Sequence, residues 1–185
     1  RLAGNSSEKW LRMAKGFAFF QKGMIYENQE NLYTSLNYYF ESLKDFNSLD
    51  LVKQKMISLR IASIYQKLYN DEKALEYYKA ALQLYEKVHD KPLNNEAEGI
   101  YTLIAGIYFN RGELSNARYY LYKQASSMPD TVETLVTGGY YHLAGEIAMK
   151  ENKTDSAIFY FGEALKYYGY TRQLHIDDME NVYDD

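Results

Sequence analysis

The stretch "DEKALEYYKAALQLY", from Asp71 to Tyr85, decides the fold because its apolar pattern recurs along this chain. Near copies are "YTSLNYYFESLKDF", Tyr33 to Phe46, and "TDSAIFYFGEALKYY", Thr154 to Tyr168. In each copy the apolar residues recur at steps of three and four, which is typical of one face of an α-helix. The recurrence of one amphipathic helix indicates a repeat architecture.

A fourth copy emerges when the helices are aligned on a small residue near their start. The small residues are Ser35, Ala74, Ala117 and Ala157, at spacings of 39, 43 and 40. Four positions later comes a bulky residue in every copy: Tyr39, Tyr78, Leu121 and Phe161. The shared spacing predicts four equivalent helices that bury the same face.

A second amphipathic helix precedes each of these four. It carries a small residue in every copy, at Gly23, Ala62, Ala105 and Gly145. Three positions later stand Tyr26, Tyr65, Tyr108 and, as the exception, Ala148. The small residues let two helix backbones approach closely, and short polar turns such as "NRGELSNA" at 110–117 join the two helices. The unit is therefore a helical hairpin.

This pattern resembles the tetratricopeptide repeat (TPR), a helix–turn–helix unit of about 34 residues. The third copy, "YTLIAGIYFNRGELSNARYYLYKQASSMPD" from Tyr101 to Asp130, shows the resemblance best. It has the family's aromatic, small and turn positions at Tyr101, Ala105, Tyr108 and Gly112. The resemblance implies an all-α fold, a right-handed α–α superhelix (TPR solenoid) of about four repeats plus a C-terminal helix.

The predicted organisation is a single array over residues 1–185. Its repeats span about 16–49, 55–88, 98–131 and 138–171. Residues 172–185 form either a helix that caps the last pair or the first helix of a truncated fifth repeat. Stacking is expected because one helix pair cannot bury its apolar face alone.

Composition limits the functional classes. The chain has 185 residues, a net charge of −4 with both signs mixed, and no cysteine. It therefore lacks the basic face of a nucleic-acid-binding protein, and it has neither disulfides nor thiolate ligands. No apolar run approaches the roughly 20 residues of a membrane span. The sequence opens at Arg1 rather than Met, so we expect that an upstream segment was removed.

In the TPR family the first helices line a concave groove that binds a peptide or a partner helix. The resemblance implies such a groove here. Arg60 and Lys67 are expected to hold a carboxylate, and the apolar positions either grip apolar side chains or pack against neighbouring helices. The predicted groove residues are Phe17, Phe20, Gln21, Met24, Asn28, Arg60, Ser63, Lys67, Leu103, Phe109, Asn110, His142, Glu146 and Met149.

Catalysis is not favoured by any constellation of residues. His89, His142 and His175 are far apart in sequence, and neither a phosphate-binding loop nor an H-E-x-x-H motif is present. His142 and Glu146 could share a metal ion, but two ligands without a third are too few. Tyrosine pairs such as Tyr38-Tyr39 suggest a stacking surface for bases or sugars, although packing between helices explains their repeated position better. We expect no enzyme activity, no cofactor and no metal.

The chain is therefore interpreted as a protein- or peptide-binding TPR module. The segment "LEYYKAALQLYEKVHDK" at 75–91 resembles TPR segments of Bacteroidetes signalling proteins. On that resemblance it is the sensor or scaffold part of a bacterial signalling or regulatory protein, and the periplasm is slightly favoured over the cytoplasm. The alternatives are a free-standing cytoplasmic adaptor or peptide-responsive regulator and, more remotely, a carbohydrate binder or enzyme. The partner would be a protein or peptide, and the groove could also bind a second copy of the chain.

Overall fold

The described part of the chain consists of α-helices and short turns. The computed structural model describes the backbone of residues 2–46, 50–88, 95–126 and 135–183, and the side chains of 6–46, 50–87, 99–126 and 137–169. Eight helices lie in these ranges, without strands. The predicted all-α class is confirmed. None of the described helices is both long enough and apolar enough to cross a bilayer.

The chain divides into two compact units, Arg1–Lys91 and Pro92–Asp185. Each unit contains two helical hairpins, and the four hairpins correspond to the four predicted repeats; that they form a single array stays a prediction. The helices of the first unit are α1 (Leu2–Asn28), α2 (Leu32–Phe46), α3 (Leu51–Lys67) and α4 (Asp71–Val88). The helices of the second unit are α5 (Asn95–Asn110), α6 (Leu114–Ala125), α7 (Leu135–Lys150) and α8 (Thr154–Tyr183).

All four hairpins close through the same turn. One residue of each turn has a left-handed backbone with φ between 57° and 75°. In every hairpin the residue directly after the left-handed one donates its backbone N–H to the carbonyl five positions before itself, at 2.9 Å. This satisfies a carbonyl that the end of the first helix leaves unpaired. The left-handed residues are Glu30, Tyr69, Gly112 and Asn152.

Small residues at the centre of the hairpins allow the helices to pack closely. A Cβ atom at Gly23 would lie 2.6 Å from the ring of Tyr39, and a Cβ atom at Gly145 would lie 2.7 Å from the ring of Phe161. In the first hairpin the Ser35 hydroxyl donates a hydrogen bond of 2.8 Å to the Gly23 carbonyl. The predicted small and bulky positions are therefore direct contact partners.

Each unit has its own apolar core. In the first unit the core includes Phe20, Tyr39, Ile57 and Ile61, all buried. In the second unit it includes Ala105 and Leu121 together with residues of α7. The cores follow the predicted periodicity because each helix of a hairpin directs its apolar face inward.

The C-terminal segment continues the last described helix; that it caps the last pair or begins a fifth repeat stays a prediction. α8 runs without interruption from Thr154 to Tyr183, so residues 172–183 extend the second helix of the fourth hairpin. Gly169 lies close to this junction, and a single interior glycine costs only about 1 kcal/mol, which is too little to end a helix. Asp184 and Asp185 lie outside the described residues.

Candidate functional site

The predicted groove residues of the first unit lie on α1 and α3. Phe17, Gln21 and Asn28 on α1 are exposed, and Phe17 retains 48% of its surface. On α3, Arg60 and Lys67 are exposed and Ser63 is half-buried. These six residues offer an accessible surface with one aromatic ring, amides and two cations.

Phe20 and Met24 are placed differently. Phe20 is buried in the core, with its ring centroid 5.8 Å from that of Tyr39. Met24 is half-buried and packs against the same core. Phe20 lies three residues after the exposed Phe17, and this step turns its side chain towards α2. Its surface is thus used by the fold, and it has little left for a ligand.

Glu27 is a charged residue at the groove that is not among the residues predicted from the sequence. Its carboxylate is almost fully buried and accepts a hydrogen bond of 2.7 Å from the Tyr39 hydroxyl. Arg60 and Lys67 of α3 each approach Glu27 Oε1 at 3.6 Å. The two cations that were expected to receive a ligand carboxylate therefore already share one within the chain. The sequence offered no local signal for this contact, because Arg60 and Lys67 lie in the next hairpin, 33 and 40 residues after Glu27.

The Glu27 cluster carries an excess of one positive charge. The side chains of Arg60 and Lys67 are 47% and 53% exposed, whereas Glu27 is not accessible. Burial, followed by the hydrogen bond to Glu27 and the nearby carboxylate charge, raises the pKa of Tyr39 well above its ordinary value of 10.0. Tyr39 thus stays a neutral donor that anchors Glu27, and the outward N–H groups of the two cations remain available for a second anion.

In the second unit the remaining groove residues are mostly accessible. Leu103 and Met149 expose 41% and 55% of their surfaces, and Asn110 is exposed. Phe109 is half-buried and packs against the core of the unit. His142 Nδ1 lies 3.7 Å from Glu146 Oε2, as the spacing of four residues predicts. Within the described side chains no third histidine or carboxylate joins them as a group of possible metal ligands.

The tyrosines form a repeated stack of rings. In the first hairpin the ring of Tyr38 lies between Phe19, at 6.1 Å, and Tyr26, at 5.3 Å and nearly parallel at 10°. In the third hairpin Tyr120 lies between Tyr101, at 6.3 Å, and Tyr108, at 5.6 Å. One ring of the second helix is thus held between two rings of the first helix that are seven residues apart. The repeated tyrosines are packing elements of the hairpin.

The other two hairpins each lack one ring of this stack. In the second hairpin Tyr77 stacks on Tyr65 at 5.9 Å, and Ser58 stands at the position of Phe19 and Tyr101. In the fourth hairpin Tyr160 keeps the contact with Tyr141 at 6.4 Å, and Ala148 stands at the position of the second ring.

Each missing ring coincides with a cleft in its own unit. A cleft of about 540 Å³ is lined by Ser58 and Tyr77, together with Phe40 and polar residues of α3 and α4. A cleft of about 350 Å³ is lined by Ala148 and Tyr160. We call the second one the Ala148 cleft; its other lining residues are Arg118, Leu121, Tyr122, Ala125, Tyr140, Ala144, Ile147, Glu151, Lys153 and Ser156.

The rim of the Ala148 cleft is charged. Glu151 forms ion pairs with Arg118 of α6 at 2.7 Å and with Lys153 at 2.8 Å. The hydrogen bond from Lys153, aided by the charge of Arg118, lowers the pKa of Glu151. The carboxylate is therefore ionised at neutral pH and links the turn between α7 and α8 to α6.

Comparisons with known proteins agree with this architecture. The family model described as tetratricopeptide repeat matches residues 57–88 and 138–169, which fall in the second and fourth hairpins. No curated protein sequence matches the chain. Solved structures do match it.

Three of the similar structures show the range of identity, TM-score and coverage. BtubC (BKLC) from P. vanneervenii has 14% identity and a TM-score of 0.74, over 85% of this chain and 64% of that chain, so this chain spans less than two thirds of BtubC. MamA has 19% identity and a TM-score of 0.62, over 85% and 81%. The C-terminal TPR-containing domain of a Plasmodium falciparum FK506-binding protein has 17% identity and a TM-score of 0.54, over 78% and 95%. At these identities the likeness concerns the fold alone.

Proposed function

We propose that this chain, in which the tetratricopeptide repeat model matches the second and fourth hairpins, is a non-enzymatic module that binds a partly apolar, acidic peptide or helix of a partner protein. The general role, a scaffold for protein interactions, follows from the family. The proposal adds the location of the ligand on the predicted groove residues of α1 and α3, and the chemistry of that ligand.

The observation that carries the proposal is the Glu27 cluster. One buried carboxylate attracts two half-exposed cations, so Arg60 and Lys67 are drawn towards the same point and are still accessible to solvent. Cations that are held in position lose less entropy when a ligand carboxylate binds. The exposed Phe17 on α1 supplies an apolar contact for a neighbouring side chain of the ligand.

A displayed library of random peptides, selected on the immobilised chain, tests this proposal. We expect the selected peptides to combine apolar residues with at least one Asp or Glu. Arg60→Ala and Lys67→Ala should each weaken their binding about tenfold or more, the effect of losing one charge-assisted hydrogen bond. Each single variant leaves Glu27 with one cation, so the core is retained.

Lys53→Ala is the matched control, because Lys53 lies on the same helix outside the predicted groove. It removes the same charge from α3 and should leave peptide affinity unchanged. Phe17→Ala should also weaken binding, because it removes the apolar contact. Selected peptides that bind equally well to Arg60→Ala, Lys67→Ala and Phe17→Ala would refute the location. A selection without any enriched peptide would refute the ligand chemistry.

The finer proposal is that the module is the sensor or scaffold part of a bacterial signalling or regulatory protein. It is supported by the resemblance of the tyrosine-rich helices to TPR segments of Bacteroidetes signalling proteins. Sequencing of the parent gene tests it. An export signal upstream together with a membrane span and an output domain downstream is the expected result, and an adjoining enzyme domain without either would contradict it.

A further inference from the structure

We propose that the Ala148 cleft is a receptor site for one aromatic side chain of a protein partner, which completes the ring stack on Tyr160. The site shares no residue with the predicted groove. The inference therefore goes beyond the proposed function and does not depend on it.

The occupant is specified by the other hairpins. At the position of Ala148 the first three hairpins have Tyr26, Tyr65 and Tyr108, each within 6 Å of the second-helix tyrosine and within 20° of parallel. The backbone of the fourth hairpin follows the same plan, with the same turn hydrogen bond of 2.9 Å from Lys153 to the Ala148 carbonyl. The chain thus contains three occupied copies of the position that is open beside Tyr160.

The dimensions of the cleft suit an aromatic ring. An apolar cavity of about 150 Å³ already accommodates benzene. The Ala148 cleft measures about 350 Å³, which leaves space for the Cβ atom and for part of the ligand backbone. Tyr122 on its rim is 70% exposed, so the cleft is reached from solvent.

The lining also favours a ring over a charged group. Leu121, Ala144, Ile147 and Ala148 are buried and apolar, so they form a surface on which a carboxylate or ammonium group would lose its hydration without compensation. The charged side chains at the rim are already paired through Glu151. An aromatic ring loses little hydration there and gains an offset stacking contact with Tyr160.

The cleft beside Ser58 is a weaker candidate for the same ligand. There Phe40 of α2 approaches Tyr77 with ring centroids 6.1 Å apart, so a second ring already contacts this tyrosine. Gln54 and Gln83 add polar groups to the lining.

Phe159 does not take the place of the missing ring in the fourth hairpin. Tyr160 contacts Phe159 edge-on, but Tyr119 makes the same contact with Tyr120 in the third hairpin, where the stack is complete. That contact does not replace the missing ring.

The experiment uses p-cresol, the tyrosine side chain as a free molecule, as the probe. We expect saturable shifts of the backbone amide signals of Ala148 and Tyr160 with a dissociation constant of the order of 1 mM. The non-aromatic analogue 4-methylcyclohexanol should bind about 2- to 10-fold more weakly, because it lacks the stacking interaction.

Three variants of the full chain complete the test. Ala148→Tyr supplies the missing ring within the chain and should abolish p-cresol binding while it raises the melting temperature. Tyr160→Leu removes the stacking partner and should weaken binding about tenfold. Ile158→Tyr is the matched control, since it adds the same side chain at a position on α8 that is 67% exposed and does not line the cleft. It should leave binding unchanged.

The proposal is overturned if p-cresol fails to bind up to about 10 mM, or if the cyclohexanol binds equally well. Unchanged binding in a folded Ala148→Tyr variant also overturns it. Should this larger substitution prevent folding, Tyr160→Leu decides the question: reduced binding supports the stacking site, and wild-type binding excludes it.

Discussion

Replacing Gly23 by alanine should destabilise the first unit, whereas the same replacement at Gly106 should stabilise the second. A Cβ atom at Gly23 would lie 2.6 Å from two ring carbons of Tyr39. Carbon atoms pack best at about 3.5–4.0 Å, so the overlap is close to 1 Å. At Gly106 the new Cβ atom would meet no atom within 4 Å other than those of its chain neighbours and its own helix backbone.

The magnitude follows from whether Tyr39 can move away. Its ring is fully buried, packs at a tilt of 45° against Phe20 and is held by the hydrogen bond to Glu27. Overpacking of such a site costs about 1–3 kcal/mol, and we take the upper end because the new Cβ atom would overlap two ring atoms. Alanine regains about 1 kcal/mol of helix propensity at either position. The free energy of unfolding should therefore fall by about 2 kcal/mol for Gly23→Ala and rise by about 1 kcal/mol for Gly106→Ala.

Urea unfolding followed by far-ultraviolet circular dichroism measures both changes. Repeat proteins unfold with limited cooperativity between neighbouring units, so each variant should shift the transition of its own unit. Gly145→Ala repeats the test in the fourth hairpin, where the new Cβ atom would lie 2.7 Å from Phe161. A neutral or stabilising Gly23→Ala would refute the argument, because the small residue would then not be needed for the close approach of the two helices.

The remaining predictions concern buried polar groups of the first unit. Glu27→Gln keeps the size of the side chain but removes the charge shared by the two cations of α3, and should lower the melting temperature by an amount that corresponds to about 1 kcal/mol. Ser42→Ala removes the buried hydroxyl that donates to the Gly16 carbonyl at 2.7 Å, and should cost about 1 kcal/mol in urea unfolding; an unchanged midpoint would contradict this. Burial raises the pKa of Tyr78 to about 12 from 10.0. Since the folded state disfavours its ionisation, stability that is present below pH 10 should decline between pH 10 and 12, and Tyr78→Phe should show a shallower decline. Equal pH profiles for the two proteins would argue against the shifted pKa.

The contacts inside each hairpin could be predicted from the sequence. Gly23 and Tyr39 are 16 residues apart, and a helix, a short turn and a second helix bring such positions together with little freedom. The same applies to the parallel tyrosine pairs of the first three hairpins, whose members are always 12 residues apart. The departure at Ala148 was visible in the alignment, but the cleft that results from it was not, because a missing ring can also be compensated by a shift of the neighbouring helices.

Contacts between hairpins were decided by the tertiary structure. Glu27 meets Arg60 and Lys67 only because α3 packs against α2 and so brings these two long side chains within reach of the end of α1. No local periodicity specifies which side chains meet in this way. Phe20 is buried against Tyr39 of α2, whereas Phe17, three residues earlier, is exposed, although both are apolar positions of one helix. The amino-acid pattern by itself determined the helices and their pairing, because these depend on residues near in sequence; the accessible surface of each helix depends on distant neighbours, and the tertiary structure alone decided it.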